Sequence, residues 1–356
     1  MKDKTISNGA GAFLVALIIM TNSYAVLPAS YAGRGIWLAD ILALILALIL
    51  AYLFASSCDK LSDEPFYGVM RHSVGKWGAA VLGGVLLIIT LLTTAVSLTV
   101  FSRFVQITAL PRTPQIIIPL IIIIIAALSL SGELTSSGGA ATLLFWFSAF
   151  VFILFVLTGI GKVEPRLLFL QRESFSEVFK GAGEVFLNRF GVLPALVAVY
   201  TRMSGKGTRK KYFLSSIAGS GVAIAILSAI TVATLGEKVS GTDFYPVYSA
   251  MSIHSIGGFI QHTEIFACIA MTVSLFFKCA VSLMFSEDMM NGMFALERKS
   301  GTALPLALIV ASSTQLIYTS ISSLRGLLEW KSGAIVMLLI NIAIPVLLFA
   351  KSKKTN

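Results

Sequence analysis

A single lysine lies deep inside an apolar stretch that is long enough to cross a membrane. Lys278 is the only charged residue of Thr272–Phe285. A charge at the centre of a membrane helix costs about 2.5–3.5 kcal/mol on insertion scales, so such a side chain usually faces the bundle interior or a water-filled cavity. Lys278 is therefore a candidate fixed cation at a binding site, where it could replace a bound sodium ion or meet a carboxylate. The alternative is a lysine that snorkels to the cytoplasmic face.

A carboxylate stands near the outer end of the same predicted helix. Glu264 precedes Lys278 by 14 residues, about four helical turns, so the two side chains share a face. At about 1.5 Å of rise per residue they stand roughly 21 Å apart, which is too far to pair. We expect Glu264 to have a structural or gating role against the sixth span or an outer loop. The alternative is a solvated helix start.

Two apolar stretches are interrupted by polar residues and then by a proline. Thr21-Asn22-Ser23-Tyr24 precedes Pro28, and Asn188-Arg189-Phe190-Gly191 precedes Pro194. Unwound membrane helices expose backbone groups that can bind a substrate or an ion. The alternative is small polar packing between helices. The predicted ligand-binding residues are Thr21, Asn22, Ser23, Tyr24, Phe190, Gly191 and Lys278, and the predicted structural or gating residues are Pro28, Pro194 and Glu264.

These residues lie in a chain that is almost entirely apolar helix. Of its residues, 56% are hydrophobic and 12% are charged, whereas a globular domain is about 25% charged. About 20 apolar residues cross a bilayer, and ten stretches meet or approach that length. We predict one all-α integral membrane domain over residues 1–356. The predicted spans are Ala10–Ala32, Ile36–Ala55, Trp77–Phe104, Gln115–Ser131, Ala140–Ile160, Val185–Arg202, Phe213–Leu235, His262–Phe285, Leu304–Tyr318 and Ser332–Ala350.

Charge and motif content exclude several classes of function. The formal net charge of +10 could suggest nucleic acid, but in a membrane protein Lys and Arg mark the cytoplasmic loops. No metal-ligand set, nucleophile elbow or phosphate loop is present, so we expect neither an enzyme nor a cofactor. The partners expected from composition are the lipid bilayer and a small molecule, not nucleic acid.

The distribution of cations predicts the orientation of the chain. The clusters Arg202–Lys211 and Lys351–Lys354 fall on one side of the membrane, which places both termini in the cytoplasm. Met1–Ala32 has the outline of a signal peptide, but its apolar run is long, so we expect it to be retained as the first span. In the outer segment before the sixth span, Phe175–Phe186 is predicted to form an interfacial helix.

The spans divide into two halves of similar size. Residues of about 10–160 hold five spans, and residues of about 185–350 hold five more. Because five is odd, the second half enters the membrane from the opposite side, as in the inverted repeats of secondary transporters. The first and sixth helices are then the ones expected to be broken, as in LeuT-like folds.

One region resembles a known family. Tyr245-Pro246, Ser255–Phe259, His262-x-Glu264 and Phe277-Lys278 resemble the signature of the spore germination permease family, the B subunits of nutrient germinant receptors. The turn at Ala32–Leu38 also resembles that family. The chain departs from the pattern at four places, namely Thr21–Ser23 for Gly-Thr-Gly, Gly191-Val192 for Gly-Glu, and Gly258 and His262 for Asp and Arg.

The resemblance implies a fold and a set of partners. The family is similar to the amino acid–polyamine–organocation transporters, with a five-plus-five inverted repeat. It implies a receptor subunit in the inner membrane of an endospore, acting with an A subunit and a lipoprotein C subunit. The implied ligand is a small nutrient, such as the amino acid L-alanine, bound between spans one, three, six and eight. Two other functions stay open: a proton-coupled amino-acid transporter, against which the absence of Glu after Gly191 argues mildly, and an ion conduit.

Overall fold

The computed structural model describes residues 5–24, 26–60, 65–130, 134–161, 163–164, 166, 175–205, 207–253, 264–296, 301–317 and 332–352. Helices dominate these residues. The α-helices are α1 (Asn8–Met20), α2 (Ile36–Lys60), α3 (Phe66–Thr108), α4 (Ile117–Leu130), α5 (Leu134–Ile160), α6 (Phe175–Val185), α7 (Leu193–Arg202), α8 (Arg209–Leu235), α9 (Glu237–Thr242), α10 (Pro246–Ile253), α11 (Glu264–Phe294), α12 (Ala303–Ile317) and α13 (Ser332–Ser352).

The length and apolar character of the helices are those of an integral membrane bundle. Within the described residues, six are long and apolar enough to cross a membrane, and a bent pair formed by Ser176–Phe190 and Leu193–Arg202 could make a seventh crossing. The apolar helices Asn8–Met20, Ile117–Leu130 and Ala303–Ile317 are shorter. These segments follow the order of the predicted spans. The count of ten crossings and the inverted repeat stay predictions.

Small residues bring the central helices close together. Ala39, Ala43, Ala47 and Ala51 recur every four residues on α2, and each is at most 1% exposed. Helices in lipid pack through such faces because small side chains let the backbones approach. On α8, a Cβ at Gly221 would collide with the Leu44 side chain of α2. The α2–α8 contact therefore depends on glycine at this position.

The first span is interrupted where its polar residues were predicted to break it. α1 ends at Met20, and Thr21–Tyr24 form a single 3₁₀ turn, here called the first-span turn. The Thr21 hydroxyl donates to the Ile18 carbonyl at 2.8 Å, which satisfies an acceptor at the helix end. Beyond the turn, Ala29 takes the left-handed conformation (φ 58°) before a second 3₁₀ helix, Ser30–Gly35, leads into α2.

The sixth span is also broken, but it begins earlier than predicted. Phe186–Phe190 form a π-helical turn between α6 and α7, here called the sixth-span turn, and the two halves bend by 43°. Pro194 lies in the first turn of α7 and cannot donate to the Phe190 carbonyl, so the regular ladder is interrupted there. α6 continues into this turn, and the interfacial position expected for Phe175–Phe186 stays a prediction.

Candidate functional site

The two helix interruptions meet inside the bundle, and one arginine joins them. Arg189 of the sixth-span turn donates from Nη1 to the Ser23 hydroxyl of the first-span turn at 2.6 Å. Its Nη2 donates to the Ser228 hydroxyl of α8 at 3.3 Å. Its Nε lies 3.3 Å from Oδ1 of Asp40 on α2, and both side chains of this ion pair are 1% exposed. One guanidinium thus ties four elements together.

This cluster is what the sequence interpretation missed. From the sequence, Arg189 was named only as part of the polar interruption before Pro194, and Asp40 was not singled out at all. A buried charge is strongly unfavourable unless it is paired and hydrogen-bonded, and here the arginine has a carboxylate and two hydroxyls around it. The available signal was Asp40 itself, because it is the only charged residue of the predicted span Ile36–Ala55, as Lys278 is in its own stretch.

Lys278 lies in the bundle interior, as the functional interpretation of its position requires. The side chain is buried, and Nζ donates to the Ser97 hydroxyl of α3 at 2.7 Å, so the snorkelling alternative does not describe this lysine. No carboxylate of the described residues lies within ion-pair distance of it. On the same face of α11, one turn to either side, the hydroxyls of Ser274 and Ser282 are buried and have no hydrogen-bond partner among the described residues.

The polar side chains of the first-span turn are engaged with the protein. Besides Thr21 and Ser23, Tyr24 forms a hydrogen bond of 2.6 Å with the Ser148 hydroxyl of α5. The backbone of Asn22 belongs to the turn, but its side chain lies outside what the structure describes. These contacts explain how the break is held in place. Whether the four residues bind a ligand stays a prediction.

The residues predicted beside the second break are buried where the two halves of the span meet. Phe190 is 1% exposed and its ring lies 6.3 Å from that of Phe186. A Cβ on Gly191 would collide with the Leu187 carbonyl oxygen, so the π turn requires glycine at this position. Pro28 and Pro194 are both buried at their respective breaks.

The sixth span does hold a carboxylate, contrary to the prediction made from Gly191-Val192. Because the helix begins at Phe175, Gly183-Glu184 lies within the bent span and supplies the Gly-Glu pair that was sought eight residues later. Glu184 is 4% exposed, and its Oε1 accepts the Ala29 N–H at 2.9 Å. The carboxylate therefore holds the irregular segment between α1 and α2.

Other residues of the resemblance are placed at the edge of this region. Tyr245 directly precedes α10, and its hydroxyl donates to the Val100 carbonyl at 3.1 Å. Burial of this side chain raises the pKa of Tyr245. Glu264 is the first residue of α11 and is half-buried. Ser255–Phe259 and His262 lie outside the described residues.

A cavity of about 470 Å³ lies away from both cations. It is enclosed by α1, α5 and α8, and its lining includes Leu17 and Met20 but neither Lys278 nor Arg189. The predicted ligand position between spans one, three, six and eight is thus a different place and stays a prediction.

Two sequence comparisons match this chain to spore germination proteins. A family model described as spore germination protein matches residues 5–325. Spore germination protein KB of Bacillus subtilis (strain 168) is 21% identical over 317 residues, which cover 87% of this chain and 84% of that protein.

Solved structures of two transporters share the fold. The Eremococcus coleocola manganese transporter, solved with an aromatic bis-isothiourea substituted compound, has a TM-score of 0.64 at 15% identity and covers 96% of this chain and 78% of its own. A Na⁺-coupled sialic acid symporter in a substrate-bound outward-open state also has a TM-score of 0.64, at 9% identity. The match covers 92% of this chain and 78% of the symporter chain. At these identities the likeness establishes a transporter fold of the LeuT type.

Proposed function

Because the chain belongs to the spore germination protein family, whose model it matches over residues 5–325, we propose that it is the membrane-embedded subunit of a nutrient germinant receptor. It is a multi-pass, non-enzymatic membrane protein with a nutrient-receptor or transporter role. In this proposal it binds a small nutrient, an amino acid, and triggers germination. It acts with an A subunit and a lipoprotein C subunit in the endospore inner membrane, with both termini cytoplasmic.

The observation that carries the proposal is the state of Lys278. Its ammonium group is buried, and the described residues offer it a hydroxyl from Ser97 but no carboxylate. Amino acids carry a carboxylate, and a charge-assisted contact in a water-poor interior is the strongest kind of hydrogen bond. The hydroxyls of Ser274 and Ser282 flank the lysine and are unpartnered among the described residues. Together they could hold a carboxylate on α11.

The helix breaks supply the remaining contacts and the mechanism. α11 packs against the first-span turn, and in this proposal the ligand held at Lys278 also contacts Thr21–Tyr24. Phe190 and Gly191, at the second break, are its other proposed contacts. A ligand that binds one arrangement of the two turns more tightly than another shifts the bundle toward that arrangement. The partner subunits would read this shift.

Proton-coupled amino-acid transport is the second candidate. The transporter fold favours it, and the finding of Glu184 inside the sixth span removes the argument that this span lacks a carboxylate. Both functions use the same ligand site. They differ in whether the ligand crosses the membrane.

The experiment uses the purified chain in proteoliposomes with a pool of labelled L-amino acids. A receptor retains the ligand saturably without accumulation, whereas a transporter accumulates it in the lumen when a proton gradient is applied. Lys278→Met should weaken retention by about 30-fold or more, because loss of one partner of a buried charge pair costs about 2–5 kcal/mol. Lys238→Met, at an exposed lysine of α9, is the matched control. Equal retention by wild type and Lys278→Met would refute the site.

A further inference from the structure

The cavity between α1, α5 and α8 is an open slot lined by small residues. Ala12 and Ala16 of α1 face Gly219 and Ala223 of α8, and each pair is one helical turn apart. Small residues usually let membrane helices close against each other. α1 and α8 do pack against each other, but a Cβ built on Gly219 would meet no atom within 4 Å. Beside this contact, α1, α5 and α8 leave a groove of about 470 Å³.

The groove opens on the side of the bundle that faces hydrocarbon. The neighbouring large apolar side chains are exposed: Trp146 is 62% exposed, Phe150 53% and Val222 50%. The serines that α8 contributes to the lining do not make it polar, because their hydroxyls donate to carbonyls of their own helix, as Ser216 does to Phe213 at 2.8 Å. The surface therefore suits an apolar chain.

An exposed cation, Lys211, stands at one end of the groove. Lys211 is exposed and lies one turn before Ser215, a lining residue on the same face of α8. Its two neighbours are committed elsewhere: Arg209 pairs with Asp59 at 2.7 Å, and Lys210 donates to Ser56 at 2.6 Å. Lys211 has no such partner among the described residues.

We propose that this groove binds an anionic phospholipid, with an acyl chain between α1, α5 and α8 and the phosphate at Lys211. A lysine at a membrane surface attracts anionic headgroups, and Tyr212, which lines the groove and is 43% exposed, is of the type enriched at that depth. The lipid would bear on the first-span turn, because the groove ends at Met20 and the Tyr24 hydroxyl is hydrogen-bonded to the lining residue Ser148.

The test measures lipid retention by the full chain with native mass spectrometry after delipidation. Phosphatidylglycerol and phosphatidylcholine with identical acyl chains are added separately. The wild type should retain phosphatidylglycerol about fivefold more tightly, the preference expected from one lysine near an anionic headgroup. Lys211→Gln should equalise the two lipids. Gly219→Leu should lose both, because the new side chain fills the groove.

Matched controls keep the outcomes separate. Lys76→Gln removes an exposed lysine on the predicted cytoplasmic side of the membrane. Gly139→Leu enlarges an exposed helical glycine that, like Gly219, has open space beside it. Both should behave as wild type, and Gly219→Val gives a milder filling of the groove if the leucine variant does not fold. Unchanged retention in Gly219→Leu, or an unchanged preference in Lys211→Gln, would overturn the proposal. The proposal would also be overturned if the wild type formed a dimer that Gly219→Leu does not form, because a second copy of the chain would then occupy the groove.

Discussion

Removal of the Arg189 guanidinium should destabilise the bundle at the point where its two helix breaks meet. Arg189→Met keeps most of the side-chain length but leaves Asp40 as a buried carboxylate without its cation. It also removes the donors to the hydroxyls of Ser23 and Ser228. Asp40→Leu makes the complementary change, because the arginine is then left with hydroxyl partners only.

The burial and the contacts set the expected magnitude. Both charged side chains are 1% exposed and lie 3.3 Å apart, and breaking a buried pair by removing one partner costs about 3–5 kcal/mol. Replacement of the whole pair by apolar side chains is often nearly neutral. Each single variant should therefore lose about 3–5 kcal/mol of unfolding free energy. The double variant Arg189→Met/Asp40→Leu should lose less than either single variant.

The assay is reversible unfolding in mixed micelles with increasing denaturing detergent, followed by far-UV circular dichroism. The control is Glu237→Gln, which removes the charge of a 45% exposed carboxylate that lies 3.6 Å from Arg34. Exposed pairs contribute about 0–1 kcal/mol, so this variant should stay close to wild type. The reasoning is refuted if the single variants lose less than about 1 kcal/mol. It is also refuted if their losses simply add in the double variant.

Two further substitutions test the breaks themselves. Gly191→Ala should lower the free energy of unfolding by about 1–3 kcal/mol in the same assay, because the new Cβ overpacks against the Leu187 carbonyl. The control Gly139→Ala, where there is open space, should be neutral or stabilising. Equal effects of the two substitutions would show that the contact between Gly191 and Leu187 does not matter. Asn22→Leu should weaken retention of labelled amino acids in proteoliposomes without changing membrane insertion, whereas unchanged affinity would remove the first-span turn from the ligand site.

Local features of the bundle could be predicted from the sequence because their causes are local. Lys278 is buried because an apolar run surrounds it. The first break falls at Thr21–Tyr24 because four polar residues interrupt a span, and the second lies next to Pro194 because proline removes a donor. Each of these signals is contained in about ten consecutive residues.

The features that the sequence analysis missed depend on contacts between residues far apart in the chain, or on the exact residue at which a helix begins. Asp40 and Arg189 are far apart in the chain, and neither position alone shows that the other neutralises it. Glu184 was placed outside the membrane because the polar residues Glu177 and Lys180 in α6 resemble a surface helix. The structure joins that helix to the span, so the same carboxylate becomes a buried acceptor for the Ala29 N–H.

The buried cations Arg189 and Lys278 therefore differ in their capacity to bind a ligand carboxylate. Arg189 is already paired with Asp40 and donates to two hydroxyls, so a ligand carboxylate placed there would have to displace a buried partner of the same charge. Lys278 has no such partner among the described residues and is flanked by hydroxyls that are free to donate. Displacement leaves a buried carboxylate uncompensated, which is strongly unfavourable. A ligand carboxylate should consequently bind at Lys278, while Arg189 joins the sixth-span turn to the first-span turn.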